Sequence, residues 1–117
     1  MWIAIAGISG ALAVMAGAFG AHGLRGRVAA EQVAAFSTAS HYQLLHSVAL
    51  LALALFAAHT GRGIALPAWL FALGMVLFSG SIYLLVLTDA RWLGPVTPVG
   101  GLCLIAGWLS LVWLARG

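Results

Sequence analysis

Four runs of the chain stay apolar for about a bilayer's width, from Trp2 to Ala21, Thr38 to Ala58, Pro67 to Thr88 and Pro98 to Leu114. A helix needs about 20 apolar residues to cross the hydrocarbon core. Lipid offers the backbone no hydrogen-bond partners, so only a helix or a closed barrel can span it. A barrel would alternate apolar and polar residues in strands of about 10 residues, and no such alternation is visible. The pattern therefore predicts an all-α fold: a four-helix transmembrane bundle, up-down and antiparallel, forming one integral membrane domain over residues 1–117.

The polar punctuation agrees with this count. Thr97-Pro98 reads as an N-cap and first helical residue, and Pro67 opens the third span in the same way. His59–Gly63 and Thr88–Arg91 are short polar turns, which make consecutive spans antiparallel neighbours. The longest connection runs from His22 to Ser37. Within it Val28–Ser37 is weakly amphipathic and reads either as a short interfacial helix or as an N-terminal extension of the second span. The first run has no basic residue ahead of it, unlike a cleaved signal peptide, so it is expected to remain as a span. With both termini on side A and the longest connection on side B, Trp2, Trp69 and Trp113 fall on side A and Trp92 on side B, as an interfacial aromatic belt requires.

Composition narrows the class further. The 117 residues are 64% hydrophobic and only 6% charged, against about 45–50% and 25% in soluble domains. The net charge of +3 is the balance of five basic and two acidic residues; the basic ones are all arginines and dispersed, whereas a nucleic-acid face would cluster them. Side A carries Arg62 and Arg116 and side B carries Arg25, Arg27 and Arg91, too even a split to orient the chain by loop charge. The lone Cys103 supports no disulfide framework.

Placed by depth, the polar residues concentrate in the side-B half. His41, Tyr42, Gln43 and His46 occupy the first turns of the second span, and Ser79, Ser81 and Tyr83 the last turns of the third. Polar groups this deep turn inward and pair. The expectation is that His46 hydrogen-bonds to Tyr83 or to a serine of the third span. The favoured reading is that this cluster holds helices together, with a bound ligand, ion or proton pathway as the alternative. The helix N-termini on side B, with Arg25, Arg27, Arg91 and the Gly100-Gly101 pair, make a candidate site for an anionic lipid headgroup, set against the favoured reading that these arginines only snorkel and anchor the boundary. In the first span Ser9, Ala13, Gly17 and Ala21 form a small-xxx-small stripe, expected to pack against the third or fourth helix, with a dimer seam as the alternative.

No metal site is expected. His41 and His46 are about 140° apart on a helix, and no second thiolate exists. The only acids, Glu31 and Asp89, lie near the surface, so no catalytic residues and no cofactor are assigned, and the chain is not read as an enzyme.

Several runs carry a resemblance: GAFGAHGL at Gly17–Leu24, QLLH at Gln43–His46, LFSGSIY at Leu77–Tyr83, PVTPVGG at Pro95–Gly101 and the closing Gly107-Trp108. Together they resemble the YgdD-like family of small bacterial inner-membrane proteins, a domain of unknown function with transmembrane relatives in eukaryotes. The resemblance covers nearly the whole chain. It implies a four-span inner-membrane protein with both termini in the cytoplasm, and no established activity. The functional expectation is a structural or interaction role, as a small bundle or accessory subunit. Its partners would be membrane lipid and either a second copy or another membrane protein, not nucleic acid. The alternatives are a small-solute, proton or lipid transporter using the polar cluster, and an anionic-lipid-binding protein.

Overall fold

The computed structural model describes residues 1–116. Its elements are α1 (Trp2–His22), α2 (Ala30–Thr60), α3 (Ala65–Met75), a π turn (Val76–Gly80), α4 (Ser81–Thr88), a 3₁₀ turn (Arg91–Leu93) and α5 (Val96–Arg116). Continuous helix from Ala65 to Thr88 makes the third span, so four helices are long and apolar enough to cross a membrane. No β-strand occurs among the described residues.

The long connection resolves as an extension of α2 rather than as a separate interfacial helix. Ala29 supplies no side-chain acceptor, but Gln32 Oε1 accepts from the Ala29 N–H at 3.1 Å and caps the start. Phe36 is buried against Leu24 and Val86, with Val28 and Val33 beside them. That packing holds the first two turns of α2 in line with the rest. A helix of 31 residues is about 46 Å long, and the molecule is 49 Å in its longest dimension, so α2 projects past the hydrocarbon on side B. Gly61 (φ 72°) ends it in the left-handed conformation. Asp89 does the same for α4 at φ 55°. The prolines sit slightly deeper than expected. Helix α3 begins at Ala65, two residues before Pro67, and α5 at Val96, so Thr97 is not an N-cap but the second helical residue.

The contacts run antiparallel throughout. Moving along α1, Ser9 meets Ser47, Gly17 faces Ser40 and Gly20 faces Phe36. Between the second and third spans, His46 lies against Phe71 and Ser79 bonds to Ala39. Between the third and fourth, Gly107 faces Phe71, Gly74 faces Leu104 and Ser81 meets Thr97. The second and third spans form the central pair, with α1 packed mainly on the second and α5 mainly on the third. The first-span stripe therefore packs against α2, not the third or fourth helix. Ala13 is buried there, Ser9 and Gly17 are half-buried, and Ala21 faces outward. The register of closest approach runs through Ala6, Ala13 and Gly20 instead.

The surface is apolar like the interior, where Leu50, Phe71 and Leu104 are buried. Large aliphatic side chains such as Leu102, Ile105, Leu109 and Val112 point outward. Ser40, His46, Ser47, Ser79, Ser81 and Ser110 are buried. Lipid tails are as apolar as leucine, so close packing and hydrogen bonds hold such helices together rather than apolar burial. Three glycines of the fourth-span contact show the closeness. A Cβ on Gly100 would stand 2.2 Å from the Phe78 amide nitrogen, one on Gly74 2.5 Å from Leu104, and one on Gly107 2.7 Å from the Phe71 ring.

Candidate functional site

The polar side chains of the second span divide into two sets. On one side, the Tyr83 hydroxyl donates to Gln43 Oε1 at 2.6 Å. Gln43 Nε2 in turn donates to the Ser9 carbonyl at 3.0 Å and lies 3.3 Å from Ser9 Oγ. Ser47 Oγ lies 2.8 Å from Ser9 Oγ and 2.7 Å from the Gln43 carbonyl. The Ser9 hydroxyl reaches Met75 Sδ at 3.5 Å. The result is one polar chain running from the third span through the second to the first.

On the other side stands His46, 3% exposed. Its Nε2 lies 2.9 Å from Trp108 Nε1 and its Nδ1 2.7 Å from the Tyr42 carbonyl. An indole N–H can only donate, so Nε2 is the acceptor and the proton sits on Nδ1. Both imidazole nitrogens are thereby used. Phe71 and Trp108 pack edge-on at 5.1 Å, and the Tyr42 ring stacks on Phe78 at 4.8 Å. The expected bond from His46 to Tyr83 or to a third-span serine does not form. Gln43 and His46 are about 60° apart around the helix, enough to aim one at the first and third spans and the other at the fourth.

The remaining predicted residues are scattered. Ser79 Oγ, in the π turn, donates to the Ala39 carbonyl at 2.7 Å. Ser81 Oγ lies 2.5 Å from Thr97 Oγ1. The Tyr42 side chain is exposed and joins the aromatic group only, while His41 faces outward, away from the cluster. The structure does not assemble the proposed headgroup site. Gly100 is buried against the backbone of Leu77 and Phe78, and Gly101 faces the Phe78 ring, so these glycines serve helix contact and leave no anion cradle. Arg25 and Arg27 are exposed, and Arg91 has only a loose ion pair with Asp89 at 3.9 Å.

Sequence reasoning missed Ser9 and Ser47 as polar partners, and missed Trp108. The signal for Trp108 was available. It is the one tryptophan away from the helix ends, and an indole N–H deep in a membrane needs an acceptor. On side A, Arg62 was read only as a loop charge. Its Nη2 donates to the Leu114 carbonyl at 2.7 Å, and its guanidinium carbon lies 5.8 Å from the centre of the Phe56 ring. No cluster of three or more metal-ligating side chains forms among the described residues. Nor does any buried side-chain nitrogen or oxygen among them lack a hydrogen-bond partner.

This architecture defines a small multi-pass membrane protein whose interior polarity is spent on joining its helices. A family model described as "Protein of unknown function (DUF423)" matches residues 16–101. The chain is 39% identical over 112 residues to the UPF0382 membrane protein SSP2132 of Staphylococcus saprophyticus, covering 96% of this chain and 93% of that one. It is 40% identical over 112 residues to the UPF0382 membrane protein SERP0230 of Staphylococcus epidermidis, covering 96% and 92%. It is also 38% identical over 114 residues to the UPF0382 membrane protein YwdK of Bacillus subtilis, covering 96% and 93%. No solved structure matches. The chain belongs to the DUF423 family of membrane proteins, whose function is uncharacterised.

Proposed function

We propose that the protein is a non-catalytic interaction module of the bacterial inner membrane, a four-helix bundle that associates with a second copy or serves as an accessory subunit of another membrane protein. One observation carries this reading. The buried polar side chains are already committed to bonds between or within the protein's own helices. A transport path needs groups free to exchange partners with a passing ion or solute. Here Gln43 is held between Tyr83 and Ser9, and His46 between Tyr42 and Trp108. What the bundle offers to other molecules is its broad lateral surface. The resemblance to YgdD-like proteins supports the inner membrane, with both termini in the cytoplasm.

Mild cross-linking in native membranes, followed by mass determination of the tagged chain, tests the proposal. The expected product is a defined homo-oligomer or one co-purifying membrane protein. Recovery of the monomer alone would count against it. Proteoliposomes that move protons or small solutes faster than empty liposomes would favour the transport reading instead.

A further inference from the structure

On side A, beyond the Trp108–His46 bond, a groove of about 560 Å³ lies between the second and fourth spans, with Ala49, Ala52 and Phe56 on one wall and Trp108, Leu111 and Leu114 on the other. Arg62 stands with them at the membrane-surface end. From Ala115 to Trp108 the groove runs about 10 Å along the helix axis, toward the middle of the bilayer.

Two features specify its occupant. The first is charge. The Leu114 carbonyl holds Arg62 over the groove by one nitrogen, and a guanidinium has five N–H donors. The chain has only two acidic side chains. Glu31 lies in the first turn of α2 and Asp89 at the end of α4, both on side B, so neither can balance Arg62. The second is lining: below the arginine the walls are alanine, leucine and aromatic surface. Trp108 Nε1, the polar atom on this wall, is already given to His46.

We infer that this groove binds an anionic phospholipid of the surrounding leaflet, its phosphate on Arg62 and one acyl chain lying between the second and fourth spans down to Trp108. The site is on the opposite membrane surface from the one expected at Arg25, Arg27 and Arg91. It does not depend on the proposed role as an interaction module.

The test uses the full chain in nanodiscs of equal phosphatidylglycerol and phosphatidylcholine, transferred to mild detergent, with retained lipid counted by native mass spectrometry. The wild type is expected to retain phosphatidylglycerol over phosphatidylcholine by about five-fold, the preference one arginine gives near an anionic surface. Arg62→Lys keeps a preference and Arg62→Gln abolishes it. Because Arg62→Gln also removes the bond to Leu114, Ala52→Phe supplies an independent arm. It fills the groove, leaves the charge in place and lowers retention of both lipids, while circular dichroism in phosphatidylcholine shows an unchanged fold. Equal retention of the two lipids by the wild type would overturn the inference. So would an undiminished preference in Arg62→Gln, full retention in a folded Ala52→Phe, displacement of the lipid by millimolar inorganic phosphate, or a second copy of the chain seated there in place of lipid.

Discussion

Replacing Gly100 with alanine tests how the third and fourth spans approach each other. The added methyl would lie 2.2 Å from the Phe78 nitrogen and 2.7 Å from both the Leu77 carbonyl carbon and Phe78 Cα. These are backbone atoms and cannot rotate away. Ordinary carbon contacts need about 3.5 Å, so the spans must part by about 1.3 Å at this level. Overpacking of this kind costs about 1–3 kcal/mol. The Ser81–Thr97 bond lies within a turn of the contact, and losing it adds about 0.6 kcal/mol. The expected destabilisation is about 2–4 kcal/mol, which is roughly thirty-fold or more in the folding equilibrium. Unfolding in sodium dodecyl sulfate mixed micelles, followed by tryptophan fluorescence, measures it. Gly101→Ala is the matched control, since its methyl would meet the Phe78 ring at an ordinary 3.7 Å. That variant should stay within about 0.5 kcal/mol of wild type or gain slightly from alanine's better helix propensity. Equal unfolding midpoints for the two variants would refute the argument.

Further outcomes follow from the polar contacts. Trp108→Phe keeps an aromatic ring and loses the donor to His46. It should cost about 0.6–1.7 kcal/mol, the range for hydrogen bonds between membrane helices, and a double-mutant cycle with His46→Leu should recover that coupling. Gln43→Leu unpairs Tyr83 and Ser9 at once, so it should destabilise more than Tyr83→Phe in the same micelle titration, with equal losses arguing against a connected chain. Gly20→Val should disrupt α1 against α2 because even a Cβ there stands 2.8 Å from the Phe36 ring, whereas Gly7→Val, with open space around it, should be tolerated. With Cys103 replaced by serine, single cysteines at positions 62 and 116 should react with a membrane-impermeant thiol reagent from one side, and those at 27 and 91 from the other.

The four spans were legible in the sequence because the bilayer restricts the answer so severely. Once a run of apolar residues must be helical, its length and its flanking turns determine the topology, and Trp2 packing on Trp69 at 5.1 Å joins two helix ends the hydropathy pattern had placed on the same surface. What the pattern did not contain was rotation of each helix about its own axis. Depth put His46 and Tyr83 in the same region, but partners depend on azimuth: Gln43 and His46 lie about 60° apart around α2, and that difference gives Tyr83 to Gln43 and Trp108 to His46. Nor did it reveal the job of Gly100. A glycine pair at a helix start is equally consistent with an anion cradle and with a backbone contact, and only the position of Phe78 decides. The small face of α1 was recognised for what it is, but nothing in a single stripe says which neighbour it meets.

The π turn at Val76–Gly80 sets a phase as well as a shape. It takes up one extra residue in a wider turn. Wound instead as a regular helix, the same residues would carry everything after Gly80 about 100° further round, turning Ser81 from Thr97, Tyr83 from Gln43 and Val86 from Phe36 together. Deleting one residue inside the turn would therefore restore a regular helix and leave those contacts in place. Deleting one residue from the regular helix on either side has no such compensation and would miswire the side-B end of the bundle.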